Sequence, residues 1–425
     1  MSATPWAGRR LHFIGVGGAG MSGLALVARA LGAEVTGSDQ AESSYVTLLR
    51  GVGIEPAIGH DAANVPEGAE VVVSTAIGDD NPELARARAL DGTVLHRGDL
   101  LGEVTRLRRT IAIAGTHGKT TTASMAAHVL VETGQDPSYL IGGEVRSTGT
   151  NAAWGAGEWL VVEADESDRS FLKLSPEVAV VTNVELDHHT TFATLGELKE
   201  AFDRFTDAAR VVIADVAAPD AELLPMGSRF SALGADFELS VPGRHNAQNA
   251  LAAALACREA GVDPANSARA LRSFVGAGRR FEPHGTGPAG SRVYDDYAHH
   301  PTEVRATLEA ARTLGGERVV ACFQPHLYSR TRALAREFGT ALADADVAVV
   351  LDVYPAREDA ADFPGVSGWL VAAATADAAG GRPVYWTPRA EQAEKLLRGE
   401  LREGDVLLTL GAGDIDALAR DLTAE

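Results

Sequence analysis

Apolar segments of two lengths alternate along this chain. Short runs rich in Val, Ile and Leu, such as residues 11–16 ("LHFIGV") and 69–77 ("AEVVVSTAI"), have the length and composition of buried strands. Longer segments, such as residues 21–32 ("MSGLALVARALG"), carry apolar residues at helical spacing and end at a glycine. The repeated order of strand, helix and strand predicts an α/β fold with mainly parallel sheets.

This alternation is interrupted twice. A charged helical stretch at residues 100–110 ("LLGEVTRLRRT") precedes a second α/β segment, and "GAGRRFE" at residues 276–282 precedes a third. A chain of 425 residues is also too long for one ordinary core. We therefore predict three α/β domains, which comprise residues 1–108, 109–276 and 277–425.

Composition narrows the functional class. The hydrophobic content of 45% and the charged content of 23% are those of an ordinary globular protein. The net charge of -20 argues against nucleic acid as a partner, because binding to a phosphate backbone needs a basic surface. No apolar run is long enough to span a bilayer, so no membrane partner is expected. The two cysteines, Cys257 and Cys322, fit a reducing cytoplasm.

Two glycine loops compete as nucleotide sites. The first, residues 15–20 ("GVGGAG"), matches G-x-G-x-x-G between a strand and a helix, and Asp39 ends the next predicted strand. This pattern fits a pyrophosphate on a helix N-terminus, as in NAD-dependent oxidoreductases. It fits equally well glycines that only allow a strand and a helix to pack closely.

The second loop, residues 115–120 ("GTHGKT"), resembles a shortened P-loop. The full pattern would place a glycine at position 113, where this chain has Ile113. The shorter loop still supplies backbone amides for phosphate oxygens, a lysine for the outer phosphates and a hydroxyl for Mg²⁺. The alternative is a capped helix start with an exposed lysine, which would not explain Gly-Lys-Thr after a buried strand. We therefore predict an ATP site.

Acidic residues and histidines follow the next two predicted strands. Glu163, Asp165, Glu166 and Asp168 come directly after "WLVV", and Asp187, His188 and His189 come after "VTNVEL". Carboxylate oxygens are the ligands that Mg²⁺ prefers in proteins. The pattern predicts a cation site beside the shortened loop, with Glu163 as the metal-holding acid.

Eight segments in this order resemble those of the Mur ligases. They are "GTHGKTTT", "EADESD", "TNVELDHH", "GRHNAQNA", "GAGRRFE", "DDYAHHPTE", "FQPHLYSRTR" and "GAGDI", and the resemblance includes "HFIGVGGAGMSGLA" near the start. It therefore covers the whole chain, and the shortened loop is the normal form in this family. The resemblance implies a UDP-binding Rossmann-like domain, a central P-loop ATPase-like domain and a C-terminal Rossmann-like domain.

The resemblance also implies an activity. The chain is most similar to the branch that joins L-alanine to UDP-N-acetylmuramate in peptidoglycan synthesis. ATP and Mg²⁺ would activate the muramic acid carboxylate as an acyl phosphate, which the amine of L-alanine would attack. The expected protein is a cytoplasmic enzyme and a monomer or weak homodimer. The base that takes the amine proton stays open among His188, His189 and His299.

Matching positions imply roles for individual residues. Lys119, Glu163, His188 and Arg280 would be catalytic, with one Mg²⁺ held by Thr120 and Glu163 and a second held by His188. ATP would be bound by Gly115, Thr116, His117, Gly118, Lys119, Thr120, Thr121, Asn246, Asn249 and Asp296. The UDP-sugar would be bound by Gly17, Gly18, Ala19, Gly20, Ser22 and Asp39, and the amino acid by His326, Arg330 and Arg332.

Two features depart from the family pattern. Many relatives carry Arg where this chain has Leu327, and the segment 225–243 is shorter than usual, which we expect to trim the edge of the central domain. Three alternatives remain: a murein tripeptide ligase of the same family, an NAD-dependent oxidoreductase using the first loop, and a nucleotide sensor without catalysis.

Overall fold

A computed structural model describes residues 4–188 and 191–424, so that His189 lies outside the described residues. The chain forms two compact units. The first comprises residues 4–185, 195–216 and 252–270. The second comprises residues 186–188, 191–194, 217–251 and 271–424.

The first unit begins with a sheet of five parallel strands. The strands are β1 (Arg10–Ile14), β2 (Glu34–Asp39), β3 (Ala57–Ile58), β4 (Glu70–Val73) and β5 (Val94–His96). The helices of this segment are α1 (Ala19–Ala30), α2 (Ser44–Gly51), α3 (Pro82–Ala89) and α4 (Arg97–Thr105). The strand order β3-β2-β1-β4-β5 places the carboxyl ends of β1 and β2 side by side. The first glycine loop and Asp39 therefore meet at one edge of the sheet.

The second sheet has six strands. They are β6 (Arg109–Ala114), β7 (Ser138–Val145), β8 (Thr150–Ala153), β9 (Trp159–Glu163), β10 (Val178–Val181) and β11 (Val211–Ile213). The helices that follow these strands are α5 (Lys119–Glu132), α6 (Leu195–Asp207), α7 (Arg244–Glu259) and α8 (Pro264–Leu271). In the order β11-β10-β6-β9-β7-β8, only β8 is antiparallel to its neighbour. The carboxyl ends of β6, β9 and β10 are thus adjacent.

The short segment 225–243 keeps a small sheet of its own in the second unit. Three antiparallel strands form it, β12 (Glu222–Leu224), β13 (Gly227–Ala232) and β14 (Ala235–Leu239). The rings of Phe230 and Phe237 stack with their centroids 4.9 Å apart, and both side chains are buried. This aromatic pair gives the short sheet an apolar face to bury.

The last sheet also belongs to the second unit. Its strands are β15 (Glu282–Thr286), β16 (Arg292–Asp296), β17 (Val319–Phe323), β18 (Val347–Val350), β19 (Val384–Trp386) and β20 (Val406–Leu410). The helices are α9 (Pro301–Arg312), α10 (Tyr328–Leu342), α11 (Gly368–Ala378), α12 (Ala390–Glu400) and α13 (Asp416–Thr423). The order is β15-β16-β20-β17-β18-β19, and only β15 is antiparallel. Buried apolar side chains cover both faces of this sheet.

The predicted α/β class with mainly parallel sheets is confirmed. Each of the three large sheets is built from one of the three segments predicted as domains, although the first two sheets share one compact unit. Within the part of the chain that the structure describes, no helix is both long and apolar enough to cross a bilayer.

Candidate active site

The shortened loop between β6 and α5 is held in place by the end of β10. The amides of Thr116 and His117 donate to the carbonyl and side-chain oxygens of Asn183, at 3.1 and 2.9 Å. Gly115 has a φ of +136°, and a Cβ there would lie 2.0 Å from Thr182 Oγ1. Only glycine fits this position. The loop is therefore held in one backbone conformation, which leads into the N-terminus of α5.

Lys119, the first residue of α5, turns back over this loop. Its ammonium donates to the carbonyl oxygen of Gly115 at 2.6 Å and lies 2.9 Å from the carboxylate of Glu166. Burial alone would lower the pKa of Lys119, but the carboxylates of Glu166, Asp165 and Glu163 outweigh it and raise the pKa above its usual range. The side chain is therefore a fixed positive charge beside the loop that the sequence predicts to bind phosphate.

Thr120 and Glu163 lie together as the sequence predicts. Thr120 Oγ1 lies 2.9 and 3.0 Å from the two carboxylate oxygens of Glu163, which ends β9. The amide of Gly142 also donates to Glu163, at 2.7 Å. A hydroxyl and a carboxylate are hard oxygen ligands, so this pair fits Mg²⁺.

The four acids at the carboxyl end of β9 have different partners in the structure. Only Glu163 contacts Thr120, whereas Glu166 pairs with Lys119. Asp165 and Asp168 each accept a hydrogen bond of 2.9 Å from Nη2 of Arg97. Glu163 is therefore the candidate metal ligand beside Thr120, and the other three acids form ion pairs with Lys119 or Arg97.

The first glycine loop is fastened to the end of β2. The amide of Gly17 donates to Asp39 Oδ2 at 2.7 Å, and a Cβ on Gly17 would lie 2.9 Å from the same oxygen. Gly18, Ala19 and Gly20 then form the start of α1, where backbone amides favour an anion. Asp39 thus helps to set the path of the loop, in addition to any contact with a ligand.

Ser22, which the sequence predicts as a ligand of the UDP-sugar, is turned into the protein. Its side chain is fully buried, and its hydroxyl donates to the carbonyl oxygen of Ala19 at 3.0 Å. The amide of Asn151 donates to the same hydroxyl and to Ala19, at 3.2 and 2.6 Å. Because Ser22 is used inside the protein, it supports the loop and does not bind a ligand directly.

In the second unit, the two neighbouring arginines of "GAGRRFE" have different environments. Arg279 donates to Asp295 and to the carbonyl oxygens of Gly411 and Gly413, each at 2.8 Å, and so fixes the loop after β20. The guanidinium of Arg280 lies 5.1 Å from the ring centre of Tyr297 and 3.8 Å from the carboxylate of Glu303. Arg279 is structural, and Arg280 remains the candidate for phosphate binding.

Asp296 ends β16 in the same unit. Its two carboxylate oxygens accept hydrogen bonds of 2.8 Å from the amides of Phe281 and Ala298. Burial raises the pKa of Asp296 to about 6, and the nearby charge of Arg280 acts in the opposite direction. The carboxylate is therefore held in one orientation, as a ribose-binding acid needs.

Arg330 forms a buried ion pair that the sequence did not predict. Its Nε and Nη2 atoms donate to the two carboxylate oxygens of Asp187, both at 3.0 Å, and Nη1 lies 3.2 Å from Nδ1 of His326. Burial alone would raise the pKa of Asp187, but Arg330 holds it well below its usual range. Arg332 is exposed and lies over the ring of Phe363, 5.1 Å from its centre. The fork of Arg330 is thus occupied by protein.

The remaining predicted residues of the second unit are buried or half-buried. Asn246 and Asn249 are joined by a hydrogen bond of 3.2 Å, and Asn246 also donates to the carbonyl oxygen of Pro242 at 2.7 Å. Burial lowers the pKa of His245 to about 4 and that of His299 to about 4. His188 is half-buried with a φ of +53°.

Comparisons with known proteins agree with one another. Family models match residues 10–109 ("Mur ligase family, catalytic domain"), 113–223 ("Mur ligase middle domain") and 279–413 ("Mur ligase, glutamate ligase domain"). The UDP-N-acetylmuramate–L-alanine ligase of Streptomyces coelicolor is 45% identical over 453 residues, which cover 97% of each chain. The chain belongs to the Mur ligase family.

Further members of the Mur ligase family match over the same length. A UDP-N-acetylmuramate–L-alanine ligase of Rubrobacter xylanophilus is 44% identical and covers 98% of this chain and 99% of its own. The crystal structure of UDP-N-acetylmuramate-alanine ligase MurC from Thermotoga maritima has a TM-score of 0.83 and 30% identity, over 97% of this chain and 98% of its own. These matches do not support the NAD-dependent oxidoreductase that the first loop left open.

A second Mur ligase structure shares the fold. The murein peptide ligase of Psychrobacter arcticus has a TM-score of 0.71 and 24% identity, over 98% of each chain. The predicted family is confirmed by these comparisons, and the shortened loop is part of a family domain that spans residues 113–223.

Several side chains of the site were given no role by the sequence. Arg97 and Asn151 stand outside the segments that resemble the family, and Asn183 lies within "TNVELDHH" without an assigned contact. Each contacts a loop far away in the sequence: Arg97 the acids after β9, Asn151 the start of α1, and Asn183 the shortened loop. Asp187 was noted as an acid near a metal site, and its pairing with Arg330 could not be read from sequence spacing.

Proposed function

We propose that this Mur ligase joins L-alanine to the carboxylate of UDP-N-acetylmuramate and converts ATP to ADP and phosphate. The observation that carries the choice of substrates is the 45% identity, over 97% of the chain, to a relative named for that reaction. The shortened loop with Lys119 supports ATP as the activating substrate. The product would be a precursor of peptidoglycan.

The reaction proceeds in two steps that need no protein nucleophile. A carboxylate oxygen of UDP-N-acetylmuramate attacks the γ-phosphorus of ATP, and the bond to the β-phosphate oxygen breaks to release ADP. The amine of L-alanine then attacks the acyl carbon, phosphate leaves with the former carboxylate oxygen, and a base takes the amine proton. The protein must hold anionic reactants together and neutralise their charge.

Residues of the first unit supply most of that charge compensation. The ammonium of Lys119 is held at the loop and would face the outer phosphates. Thr120 and Glu163 would hold one Mg²⁺, and His188 would hold a second. Mg²⁺ would neutralise charge on the transferred phosphoryl group. Arg280 is the further cation that we assign to the phosphates.

The other residues predicted to bind a nucleotide keep their proposed roles, apart from Ser22. These residues lie at strand ends or near helix starts, where we propose that the nucleotides bind. For the UDP-sugar these residues are Gly17, Gly18, Ala19, Gly20 and Asp39; for ATP they are Gly115, Thr116, His117, Gly118, Thr121, Asn246, Asn249 and Asp296. The buried free cysteines fit the cytoplasmic location that belongs to this proposal.

His299 is the base that the geometry favours. Its Nδ1 lies 2.8 Å from the carbonyl oxygen of Tyr297, which fixes the hydrogen on Nδ1 and leaves Nε2 as the acceptor. Burial lowers its pKa to about 4, so the ring is neutral at pH 7 with a lone pair on Nε2, and it is a weaker base than a free imidazole. His188 has a second proposed role as a metal ligand, which would occupy its lone pair.

A phosphate-release assay tests the proposed function. We expect release that requires UDP-N-acetylmuramate, L-alanine, ATP and Mg²⁺ together, measured across a panel of UDP-sugars and of L-alanine, L-serine and glycine. Efficient ligation of a murein tripeptide in place of L-alanine would instead identify the recycling ligase. Phosphate release that is independent of both acceptor substrates would contradict the proposal.

Amino-acid binding should depend more on Arg330 than on Arg332. Arg330→Lys is expected to raise KM for L-alanine about tenfold or more, because lysine cannot keep both the bond pair to Asp187 and the bond to His326. Arg332→Lys is the matched variant, and it should change KM less than about threefold, since Arg332 is exposed. Initial rates against L-alanine concentration measure both. A larger effect at Arg332 would refute this assignment.

A further inference from the structure

The first unit contains a carboxylate that the proposed mechanism does not use. Glu83, in the first turn of α3, has no exposed surface. It accepts hydrogen bonds from Ser38 Oγ at 2.6 Å and from Asn64 Nδ2 at 2.9 Å, and lies 2.9 Å from Nε2 of His12. The amide of Asp61 adds a bond of 3.2 Å. Both oxygens of Glu83 are thus surrounded by donors.

This carboxylate is ionised. Burial alone would raise its pKa, but the bonds from His12, Ser38 and Asn64 outweigh burial and lower the pKa to about 2. The other nitrogen of His12 lies 2.9 Å from the hydroxyl of Thr36, so the histidine is itself fixed. A buried anion with this many donors holds those donors in place, because each loses a strong bond if it moves.

One of these donors, Ser38, lies at the end of β2, next to the first glycine loop. Ser38 is one residue before Asp39, and its carbonyl oxygen accepts the amides of Gly15 and Val16, at 2.8 and 2.9 Å. Glu83 therefore reaches the first glycine loop through a single intervening residue. The hydroxyl of Ser38 is bonded to Glu83, while its backbone carbonyl oxygen is bonded to the first glycine loop.

A second path runs through the loop after β3. Asn64 donates to Glu83 and also to the carbonyl oxygen of Gly59, at 3.1 Å. The amide of Gly59 in turn donates to the carbonyl oxygen of Asp39 at 2.7 Å. Asp39 is the residue whose carboxylate fixes Gly17. Both paths from Glu83 end at the residues that we assign to the UDP-sugar.

We infer that Glu83 is a positioning residue for the UDP-sugar site, acting through Ser38 and Asn64 without touching the substrate. This inference rests on the proposed function, since it assumes that the first glycine loop binds UDP-N-acetylmuramate. Its structural basis is one buried anion joined to His12 in β1, to Ser38 near the end of β2, and to Asp61 and Asn64 in the loop after β3. Affinity for the UDP-sugar then depends on a residue that lies under the loops.

The test is the effect of Glu83→Gln on each substrate separately. We expect KM for UDP-N-acetylmuramate to rise about tenfold or more, because the glutamine amide group faces donors and leaves one or more unpaired. KM for ATP and for L-alanine should change less than about twofold. Binding of UDP-N-acetylmuramate by calorimetry should weaken by the same factor as KM.

The matched control is Glu70→Gln. Glu70 pairs with Arg9 in the same domain, with bonds of 2.9 and 2.8 Å, but at the start of β4 and away from these loops. It should lower thermal stability and leave KM for the UDP-sugar unchanged. If Glu83→Gln does not fold, Asn64→Ala at a half-buried position tests the second path, with an expected rise of about threefold to tenfold in the same KM.

Two results would overturn the inference. One is a Glu83→Gln or Asn64→Ala enzyme that is less stable but has wild-type KM for all three substrates. The other is an equal rise in KM for the UDP-sugar, ATP and L-alanine, which indicates general loosening of the fold. Failure of the proposed function looks different, because the wild-type enzyme itself would then release no phosphate with UDP-N-acetylmuramate and L-alanine.

Discussion

Replacing Lys119 with alanine is expected to lower the rate of phosphate release by about a thousandfold or more while UDP-N-acetylmuramate still binds. The buried ammonium is held by Gly115 and Glu166 at the loop that we assign to the ATP phosphates. Charge on the transferred phosphoryl group is then no longer offset by a fixed cation, and such cations account for large factors in phosphoryl transfer. Phosphate release and calorimetry with UDP-N-acetylmuramate measure the two properties.

The single substitution removes the ammonium that pairs with the buried carboxylate of Glu166, and this loss destabilises the unit for reasons unrelated to catalysis. The double variant Lys119→Ala, Glu166→Gln removes both charges together and should be equally inactive. Lys173→Ala is the matched control, since Lys173 pairs with Asp99 on the exposed surface. It should keep wild-type turnover.

Turnover within about tenfold of wild type in the folded double variant would rule out the role given to Lys119. Loss of UDP-N-acetylmuramate binding in the same variant would show that the two loops of the first unit are coupled. Wild-type turnover in Lys173→Ala is needed in either case, because it shows that the loss of a lysine charge elsewhere does not by itself inactivate the enzyme.

The features predicted correctly from the sequence are those set by neighbouring residues. The strand, the shortened loop and the helix that begins at Lys119 follow from a local order of apolar residues and glycines. Glycine at position 115 is required by a backbone conformation that other residues rarely adopt. The contact between Thr120 and Glu163 also followed from the sequence, because the ends of adjacent parallel strands meet at one edge of a sheet.

The contacts that the sequence did not reveal join distant segments. Arg97 and Asp168 are 71 positions apart, and Asp187 and Arg330 are 143 positions apart. Such pairs depend on strand order and register, which spacing along the chain does not encode. For this reason the sequence does not reveal that three of the acids at the end of β9 pair with Lys119 or Arg97.

Ser22 illustrates the same limit at a single position. Its place in the first turn of α1, just after the glycines, suggests a ligand contact. On a helix, however, neighbouring positions face different sides, so a position in the first turn does not decide whether a side chain faces the ligand. The structure points it toward Asn151 on β8. Glu83 is the converse case: it lies in no recognised pattern, yet it is bonded to residues of several loops.

Glu163→Gln is expected to lower phosphate release by roughly a hundredfold or more and to raise the Mg²⁺ concentration needed for half-maximal rate. Glutamine keeps an oxygen that can accept from Thr120 and Gly142, so the loop should stay in place. What it removes is the negative charge that would hold the cation. The rate is measured against Mg²⁺ concentration at fixed ATP, UDP-N-acetylmuramate and L-alanine.

Glu177→Gln is the control that separates metal binding from loss of any carboxylate in this sheet. Glu177 accepts two hydrogen bonds from Arg109, at 2.8 and 2.7 Å, directly before β10 and at the opposite edge of the sheet from the loop. Its substitution should leave the Mg²⁺ dependence unchanged. If Glu163→Gln also leaves that dependence unchanged while the rate falls, the carboxylate orients Thr120 and does not bind the cation. The metal would then have to be held by other oxygen ligands, such as those of the nucleotide itself.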